Sequence, residues 1–343
     1  MRHFFLSIIL IAWPASRADG QTASGQKPPI IDMHLHAHRI PPGVTECAGS
    51  TLLPYDPGAD TTGTPGPFGK RWSVSPDRLR SCRDTLRAPD TDEENLQTTL
   101  AILEKYNIRA VTSGELSMVL RWKAAAPDRI IPAVECCVPA FVSPDSMRTL
   151  ISSGTIEVMG EVVNQYFGFT PSDSVLIPYF AVAEELDVPV GIHMGLGPVA
   201  AAYVTGYTKY RVRLGDPLSL EEALIRHPKL RVYVMHAGWP MLDEMIALMY
   251  AYPQVNVDVG VISWLLRRTE FHRYLRRLVE AGFEKRIMFG SDNVFWPDAI
   301  PIAIEAIESA DFLTEHQKRD IFYNNAAQFL RLSKETIANH HGR

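Results

Sequence analysis

Eight short apolar runs alternate with amphipathic runs along most of this chain, and the connections between them are mostly short. The apolar runs have the length of strands, and the amphipathic runs have the periodicity of helices that bury one face. The predicted strands are 29–36, 108–112, 130–136, 157–163, 188–193, 230–236, 255–259 and 286–290. Such alternation is typical of a parallel α/β protein, and few other architectures can accommodate it.

Eight strand and helix repeats in 343 residues match the repeat number and length of a (β/α)8 TIM barrel. The predicted helices are 93–106, 116–126, 144–152, 172–186, 217–226, 241–251, 264–281 and 299–309, with closing helices in 314–330 and a frayed tail at 339–343. An open doubly wound sheet is the alternative. The first strand-to-helix turn lacks the Gly-rich phosphate loop of dinucleotide-binding sheets, so we predict a barrel over 27–332.

The N-terminus has the composition of a secretory signal peptide over residues 1–18, with cleavage after Ala18. Its apolar core is shorter than the roughly 20 residues that span a bilayer. The predicted cleavage site has no cysteine, so a lipid anchor is not indicated. A buried first helix is the alternative. The sequence therefore predicts an exported protein, periplasmic or extracellular, with no membrane association after cleavage.

One connection is much longer than the rest. Residues 40–89 are rich in Pro and Gly and follow the first strand, so we interpret them as a lid-like insertion. Cys47 and Cys82 lie near its two ends and form either a disulfide or two free thiols; export permits the disulfide. Cys136 and Cys137 are adjacent on an apolar run and are interpreted as two small buried residues.

The charge balance limits the kind of partner. The formal net charge is -5 and 21% of the residues are charged, without the basic footprint that nucleic acids select. We therefore predict a small-molecule substrate and no nucleic-acid partner. The sequence leaves the oligomeric state open, including a homo-oligomer.

Metal-ligating residue types stand at the C-terminal ends of several predicted strands. His34 and His36 end the first run, and alternate residues of a strand share a face, so both imidazoles point the same way. His193, His236 and Asp292 end later runs. Active sites of these barrels lie at that face, and imidazole nitrogen suits zinc and its first-row neighbours. The pattern predicts a metal centre at the barrel mouth.

Six motifs occur in an order that resembles the amidohydrolase superfamily, in the amidohydrolase-related branch that includes aminocarboxymuconate-semialdehyde decarboxylase. The motifs are IDMHLH at 31–36, GE at 160–161, GIH at 191–193, HAG at 236–238, FGSD at 289–292 and NAA at 325–327. The resemblance implies that His34, His36 and His193 are metal ligands. It implies that Asp292 is a ligand that also takes a proton from bound water. The cofactor it implies is a divalent metal, with zinc as the first choice, in one or two ions.

Two residues have alternative roles. In relatives with two ions, the histidine at the position of His236 binds the second ion, whereas in relatives with one ion it polarises the substrate or acts as a base; a buried structural histidine is the remaining reading. Glu161 stands where many relatives carry a carboxylated lysine. It either bridges two ions or accepts a hydrogen bond that orients a ligand imidazole. His38 is expected beyond the strand, outside the metal ligands.

The resemblance and the ligand pattern together predict a metal-dependent hydrolase. It would cleave a C–N or C–O bond in an amide, lactone or ester by metal-activated water, with Asp292 and His236 as the catalytic residues. A non-oxidative decarboxylase of the related branch is the alternative. The aromatic and cationic residues in 195–215 suit an anionic or aromatic substrate. A ligand-binding protein with a degenerate barrel is disfavoured, since no expected ligand is missing.

Overall fold

A computed structural model describes residues 27–49, 82, 84–136, 142–198, 201–203 and 206–343. The strands are β1 Ile30–His36, β2 Thr45–Ala48, β3 Asp84–Arg87, β4 Ile108–Ser113, β5 Ile130–Cys136, β6 Val158–Val162, β7 Val190–His193, β8 Val232–Met235, β9 Val255–Asp258 and β10 Ile287–Met288.

Eight of these strands form one parallel sheet in the order β1-β4-β5-β6-β7-β8-β9-β10. Just beyond β10, the carbonyl oxygen of Phe289 accepts a hydrogen bond from the backbone N–H of Met33 in β1, at 2.9 Å. This contact brings the two edges of the sheet together in a nearly closed barrel. The predicted (β/α)8 architecture is confirmed.

Helices separate the barrel strands. They are α1 Asp92–Lys105, α2 Leu116–Ala125, α3 Pro144–Ser152, α4 Ile177–Glu185, α5 Glu221–Arg226, α6 Leu242–Ala251, α7 Ile262–Leu265, α8 Arg268–Glu280, α9 Ala299–Glu308, α10 Glu315–Arg319, α11 Asn325–Phe329 and α12 Lys334–His340. Local sequence explains where several begin. The Thr91 side chain, for example, accepts a hydrogen bond from the Glu94 N–H and caps α1, whose first turn is acidic.

The helix predictions differ from the structure in three places. The helix predicted at 264–281 is two helices, α7 and α8, because Leu266 and Arg267 have extended backbone angles. The regular helix predicted at 172–186 begins only at Ile177. The frayed tail predicted at 339–343 is wrong. Helix α12 is capped by Ser333, and His340 Nδ1 lies 2.9 Å from the Tyr323 hydroxyl, so the C-terminus is held against the barrel.

The barrel interior is a packed core. One buried cluster joins side chains from strands around the barrel to the closing helices; it includes Ile31, Met33, Val111, Ala133, Val158, Tyr233, Met288, Tyr323 and Ala326. A larger cluster fills the layer between the strands and the outer helices. The closing helices cover one end of the barrel, which leaves the C-terminal ends of the strands for a functional site.

The described ends of the insertion form a short hairpin. Strands β2 and β3 pair antiparallel, and Cys47 and Cys82 form a disulfide with a Cα–Cα distance of 5.6 Å, which is one of the two alternatives that the sequence left open. The Gly49 N–H donates to the Trp264 carbonyl at 2.8 Å, which ties the hairpin to α7. Residues 50–81 lie outside the described part of the chain, so the lid remains a prediction. The predicted signal peptide, residues 1–18, also lies outside it.

Cys136 has one property that the sequence did not predict. It is buried, as expected, but it is disulfide-bonded and not a free thiol. Cys137 lies outside the described residues. Of the helices in the described ranges, none combines the length and the apolar character needed to cross a bilayer.

Candidate metal centre

The five residues predicted from the strand ends, and Glu161, which was predicted from the family resemblance, come together at the barrel mouth. Their ligand atoms form three overlapping groups, in each of which all atoms lie within 4.8 Å of one another. The groups are His34, His236 and Asp292; His34, His36 and Glu161; and Glu161, His193 and His236. All six residues are buried, with at most 7% of any residue exposed. The structure thus brings together the six side chains that the sequence analysis named as candidate metal ligands.

One half of the cluster is built around the two histidines of β1. His34 Nε2 and His36 Nε2 are 3.1 Å apart and point to the same place. Glu161 Oε2 lies 3.6 Å from the first and 3.3 Å from the second. Asp292 Oδ1 lies 3.8 Å and 3.2 Å from the same two nitrogens. Two imidazole nitrogens and two carboxylate oxygens thus converge on one position.

The other half is built around β7 and the end of β8. His193 Nδ1 lies 2.5 Å from Glu161 Oε1 and 3.0 Å from His236 Nε2. His236 Nε2 is 3.9 Å from the same carboxylate oxygen. Glu161 therefore directs Oε2 to the first half and Oε1 to the second. Asp292 Oδ2 reaches toward His236, 3.6 Å from its Nδ1.

Each of the four imidazoles turns one nitrogen inward and has a separate neighbour at the other. The outer contacts are His34 Nδ1 to Asp258 Oδ2 at 3.2 Å, His36 Nδ1 to Ser113 Oγ at 3.1 Å, His193 Nε2 to Tyr166 Oη at 3.2 Å and His236 Nδ1 to the Gly260 carbonyl at 3.1 Å. An outer partner that fixes the tautomer and the ring is the usual environment of a metal-ligating histidine. All four imidazoles therefore have the outer contact that is usual for a metal ligand.

The backbone at the strand ends aims these side chains. His236 and Asp292 both have positive φ, 59° and 45°, so the chain turns sharply where each side chain enters the cluster. The Asp292 N–H donates to the His34 carbonyl at 2.6 Å. Gly260 passes so close that an added Cβ would lie 2.8 Å from His34 Nδ1 and 3.0 Å from Asp292 Cβ. A side chain at position 260 would displace the cluster.

Electrostatics keep the two carboxylates charged. Burial alone would raise the pKa of Glu161 and of Asp292, but hydrogen bonding to His193 and the charge of His34 hold the two pKa values well below their usual range. Burial opposes charge on His36 as well, yet Asp292 and Glu161 raise its pKa to about 9. Burial and the neighbouring charge of His236 lower the pKa of His193.

These residues fit a divalent metal. Imidazole nitrogen and carboxylate oxygen are the donors that zinc and neighbouring metals bind, and the converging inner atoms belong to ionised carboxylates and to oriented imidazoles. The inner atoms fall into two halves that share Glu161. Among the described residues, no other group of three or more such side chains has this arrangement.

The sequence did not indicate the outer partners. Asp258 is fully buried, and its Oδ1 accepts hydrogen bonds from the N–H groups of His236, at 3.1 Å, and Gly260, at 2.8 Å. A signal was present, because Asp258 is an acidic residue near the end of a predicted strand. Ser113 and Tyr166 carried no such signal.

Other predicted mouth residues lie around the cluster. His38 is outside the ligand groups, as expected, but its ring stacks on His36 at 4.3 Å and its Nε2 lies 3.5 Å from Glu135 Oε2. In the segment 195–215, Tyr207 and Tyr210 contact Tyr166 and not the ligand atoms.

Comparisons with known proteins found relatives in sequence and in fold. A curated relative, Protein fluG of Emericella nidulans, is 20% identical over 162 residues, which span 43% of this chain and only 18% of that protein. An uncharacterized TIM-barrel protein from Bordetella bronchiseptica is 18% identical, with a TM-score of 0.59, over 92% of this chain and 100% of that one.

Two further solved structures have assigned activities. A probable 2-pyrone-4,6-dicarboxylic acid hydrolase from Acinetobacter baumannii, crystallised with citric acid, is 16% identical, with a TM-score of 0.53, over 88% of this chain and 99% of that one. The 2,6-dihydroxybenzoate decarboxylase from Rhizobium is 12% identical, with a TM-score of 0.52, over 90% and 99%. At these identities the likeness shows the shared barrel fold.

The family follows from the sequence itself. The sequence profile of the family described as Amidohydrolase matches residues 31–332, which include both histidines of β1, all the other ligand candidates and the closing helices as far as α11. This match covers most of the chain and agrees with the predicted resemblance. The chain belongs to the amidohydrolase family of enzymes.

Proposed function

We propose that the protein is a hydrolase that cleaves a C–N or C–O bond of a small carbonyl substrate and uses two divalent ions, zinc being the first choice. Amides, lactones and esters are the substrate classes that this chemistry fits. The observation that carries the proposal is the position of Glu161, because its two oxygens face two separate sets of imidazoles. A carboxylate in that position can bridge a pair of ions.

Four groups would hold the first ion and three the second. The first set is His34, His36, Asp292 and Glu161, and the second is His193, His236 and Glu161. Divalent ions held there supply Lewis acidity and lower the pKa of a bound water to about 7. The larger donor set lies on the β1 side, so an ion on the side with His193 and His236 would have fewer protein donors.

The chain itself supplies proton handling and orientation. Asp292 remains ionised and has Oδ2 on the side that faces His236, so it is placed to accept a proton from the attacking water and to return it to the leaving group. The Gly260 carbonyl fixes the His236 ring through Nδ1, at 3.1 Å. Buried walls around the cluster exclude bulk water and strengthen these interactions.

A decarboxylase is the second candidate. The solved Rhizobium 2,6-dihydroxybenzoate decarboxylase motivates it. Its TM-score of 0.52 is close to the 0.53 of the Acinetobacter hydrolase, so fold similarity favours neither reaction. In that reaction the same residues would hold a carboxylate-bearing substrate, and no water would add to a carbonyl. Glu161 favours hydrolysis, since holding a substrate does not need a bridging carboxylate.

Metal counting tests the two-ion site. We expect two zinc ions per chain in the zinc-saturated protein and one in Glu161→Gln, because the amide removes the charge that both ions share. Glu135→Gln is the matched control, since that carboxylate pairs with His38 at the mouth and contacts none of the cluster. One ion in both the wild type and Glu161→Gln would refute the bridging role.

Isotope labelling tests the reaction. The substrate is first found by screening amides, esters and lactones together with aromatic carboxylic acids. Hydrolysis takes one oxygen atom from water, so turnover in oxygen-18 water should label the product carboxylate. Release of carbon dioxide without that label would refute hydrolysis and support the decarboxylase.

Export is the proposed location. The signal-like N-terminus motivates it, and the Cys47–Cys82 disulfide supports it, because such bonds persist mainly in oxidising compartments. Fractionation of cells that express the full chain, with N-terminal sequencing of the product, tests this. A cytoplasmic protein that retains residues 1–18 would contradict the proposal.

A further inference from the structure

The outer contacts of the imidazoles divide in the same way as the cluster itself. Ser113 contacts His36, which belongs to the first half, and Tyr166 contacts His193, which belongs to the second. Each is a hydroxyl at hydrogen-bond distance from the nitrogen that faces away from the cluster. Neither hydroxyl contacts a histidine of the other half in the described structure.

Tyr166 reaches His193 from the strand that carries Glu161. It lies in the 3-10 helix Asn164–Phe167, directly after β6, and is 9% exposed. Its hydroxyl is 3.2 Å from His193 Nε2, and the two ring centroids are 4.9 Å apart. The Glu161 carboxylate and the Tyr166 hydroxyl thus hold the two nitrogens of His193 from opposite edges of its ring.

The segment after β7 fixes Tyr166. The ring of Tyr207 lies 4.9 Å from that of Tyr166, and the ring of Tyr210 stacks on it at 5.5 Å. The Tyr210 hydroxyl accepts a hydrogen bond from the Gly197 N–H at 2.7 Å, which anchors this aromatic group to the backbone. Tyr207 and Tyr210 therefore act on the cluster through Tyr166.

Ser113 is held by the sheet and not by a loop. It is the last residue of β4, pairs in register with His36 of β1 and accepts a backbone hydrogen bond from Ala37 at 2.8 Å. Its Oγ lies 3.1 Å from His36 Nδ1 and is buried. The two hydroxyls thus reach the cluster from separate structural elements.

A hydroxyl in this position controls how well an imidazole binds a metal. The inner nitrogen can bind an ion only when the hydrogen sits on the outer nitrogen, and an acceptor there fixes both the tautomer and the ring. Loss of such an acceptor typically lowers metal affinity 10- to 100-fold. Loss of the acceptor should lower the affinity mainly for the ion that the affected imidazole binds.

We propose that Tyr166 is a positioning residue for the ion on the side of His193 and His236, and that Ser113 has the same role for the ion on the side of His34 and His36. This rests on the proposed two-ion function. The affinities of the two ions are set by separate contacts, one supplied by the sheet and the other by an aromatic group in the loops. Glu161 is then the main link between the ions.

Cadmium NMR and zinc counting test this without a substrate. In the cadmium-loaded protein the two ions should give two resonances. Tyr166→Phe should shift one of them and weaken that ion about 10- to 100-fold. Ser113→Ala should shift and weaken the other. Tyr179→Phe is the matched control. Tyr179 lies in α4, and its hydroxyl donates to the Val142 carbonyl at 2.6 Å. This substitution should leave the affinities of both ions unchanged.

The outcomes separate the inference from the function on which it rests. A single cadmium resonance and one zinc ion per wild-type chain would refute the two-ion site, and the inference with it. Two ions in the wild type that weaken together in both variants, or in neither, would refute the inference alone. Circular dichroism checks that each variant is folded, and Tyr166→Trp provides a second variant without the hydroxyl.

Discussion

Asp258→Asn is the substitution that most directly tests how the cluster is oriented. Asp258 Oδ1 accepts hydrogen bonds from the N–H groups of His236 and Gly260, and Oδ2 faces His34 Nδ1 at 3.2 Å. An ionised carboxylate can accept from all three groups. An asparagine has a single acceptor oxygen, and its other terminal atom is a donor. If the oxygen stays on the two N–H groups, the amide NH2 must face His34.

The expected effect follows from that geometry. His34 directs Nε2 to the cluster and so carries its hydrogen on Nδ1, which would then face a second donor. Replacing the 3.2 Å contact between His34 Nδ1 and the carboxylate by two facing donors should cost about as much as losing a hydrogen bond to a charged group, about 1.5–3 kcal/mol, which corresponds to a dissociation constant for zinc raised about 10- to 150-fold. The side-chain volume barely changes, so packing should not add to this.

Competition with a coloured zinc chelator measures the effect. Asp320→Asn is the control, because Asp320 is equally buried but pairs with Lys285 beside the closing helices. It should reduce thermal stability without changing zinc affinity. Unchanged zinc affinity in a folded Asp258→Asn protein would refute the assigned orientation of His34.

Three further predictions address other parts of the molecule. Asp292→Asn should reduce turnover by at least about 100-fold in a folded protein, which is measured by steady-state kinetics; near-normal turnover would overturn its role as the base. Replacing Cys47 and Cys82 with serine should lower the free energy of unfolding by about 4 kcal/mol, because the disulfide closes a loop with a sequence separation of 35. Urea titration measures this free energy. An unchanged value would show that the disulfide does not constrain the loop. Burial and the charge of Arg109 lower the pKa of His340 to about 4 from 6.5. The unfolded chain therefore binds the extra proton first, so stability should fall as the pH drops from about 6.5 to about 4, and His340→Gln should show less of this fall in melting curves.

The sequence predicted the barrel and the meeting of its candidate metal ligands for one physical reason. Parallel strands put their C-terminal ends at one face, so polar residues at those ends must meet there even when they are far apart in the chain. His34 and Asp292 are an example, since 258 positions separate them and their side chains lie 3.8 Å apart. Strand periodicity was enough to place them.

The outer contacts could not be predicted in that way. Ser113 meets His36 only because β1 and β4 pair in a particular register, which shifts within β1. Tyr166 meets His193 only because a short 3-10 helix turns it back toward the next strand. Neither property is encoded in a local pattern. The closing helix α12 was different, because Ser333 is an N-cap residue type and gave a signal that the prediction did not use.

The balance of charge explains why the cluster requires cations. Three carboxylates, Glu161, Asp258 and Asp292, are buried against imidazoles, and in the described residues none forms an ion pair with Lys or Arg. Buried charge without compensation is very unfavourable, so either divalent ions or protons on the histidines must balance it. Without metal, protons take that place, which is why the pKa of His36 rises to about 9 from 6.5.

That balance predicts how the metal-free protein responds to pH. Because the folded pKa of His36 is raised, the stability it contributes is complete below about pH 6.5 and is lost as the pH rises through about 9. Protein stripped with a chelator should therefore show a falling melting temperature over that interval. Zinc-loaded protein should melt at a higher temperature and be nearly flat there, because the ions balance the carboxylates and bind only the folded state. Parallel curves for the two forms would mean that the metal does not replace the protons, and the cation requirement inferred from the carboxylates would be wrong.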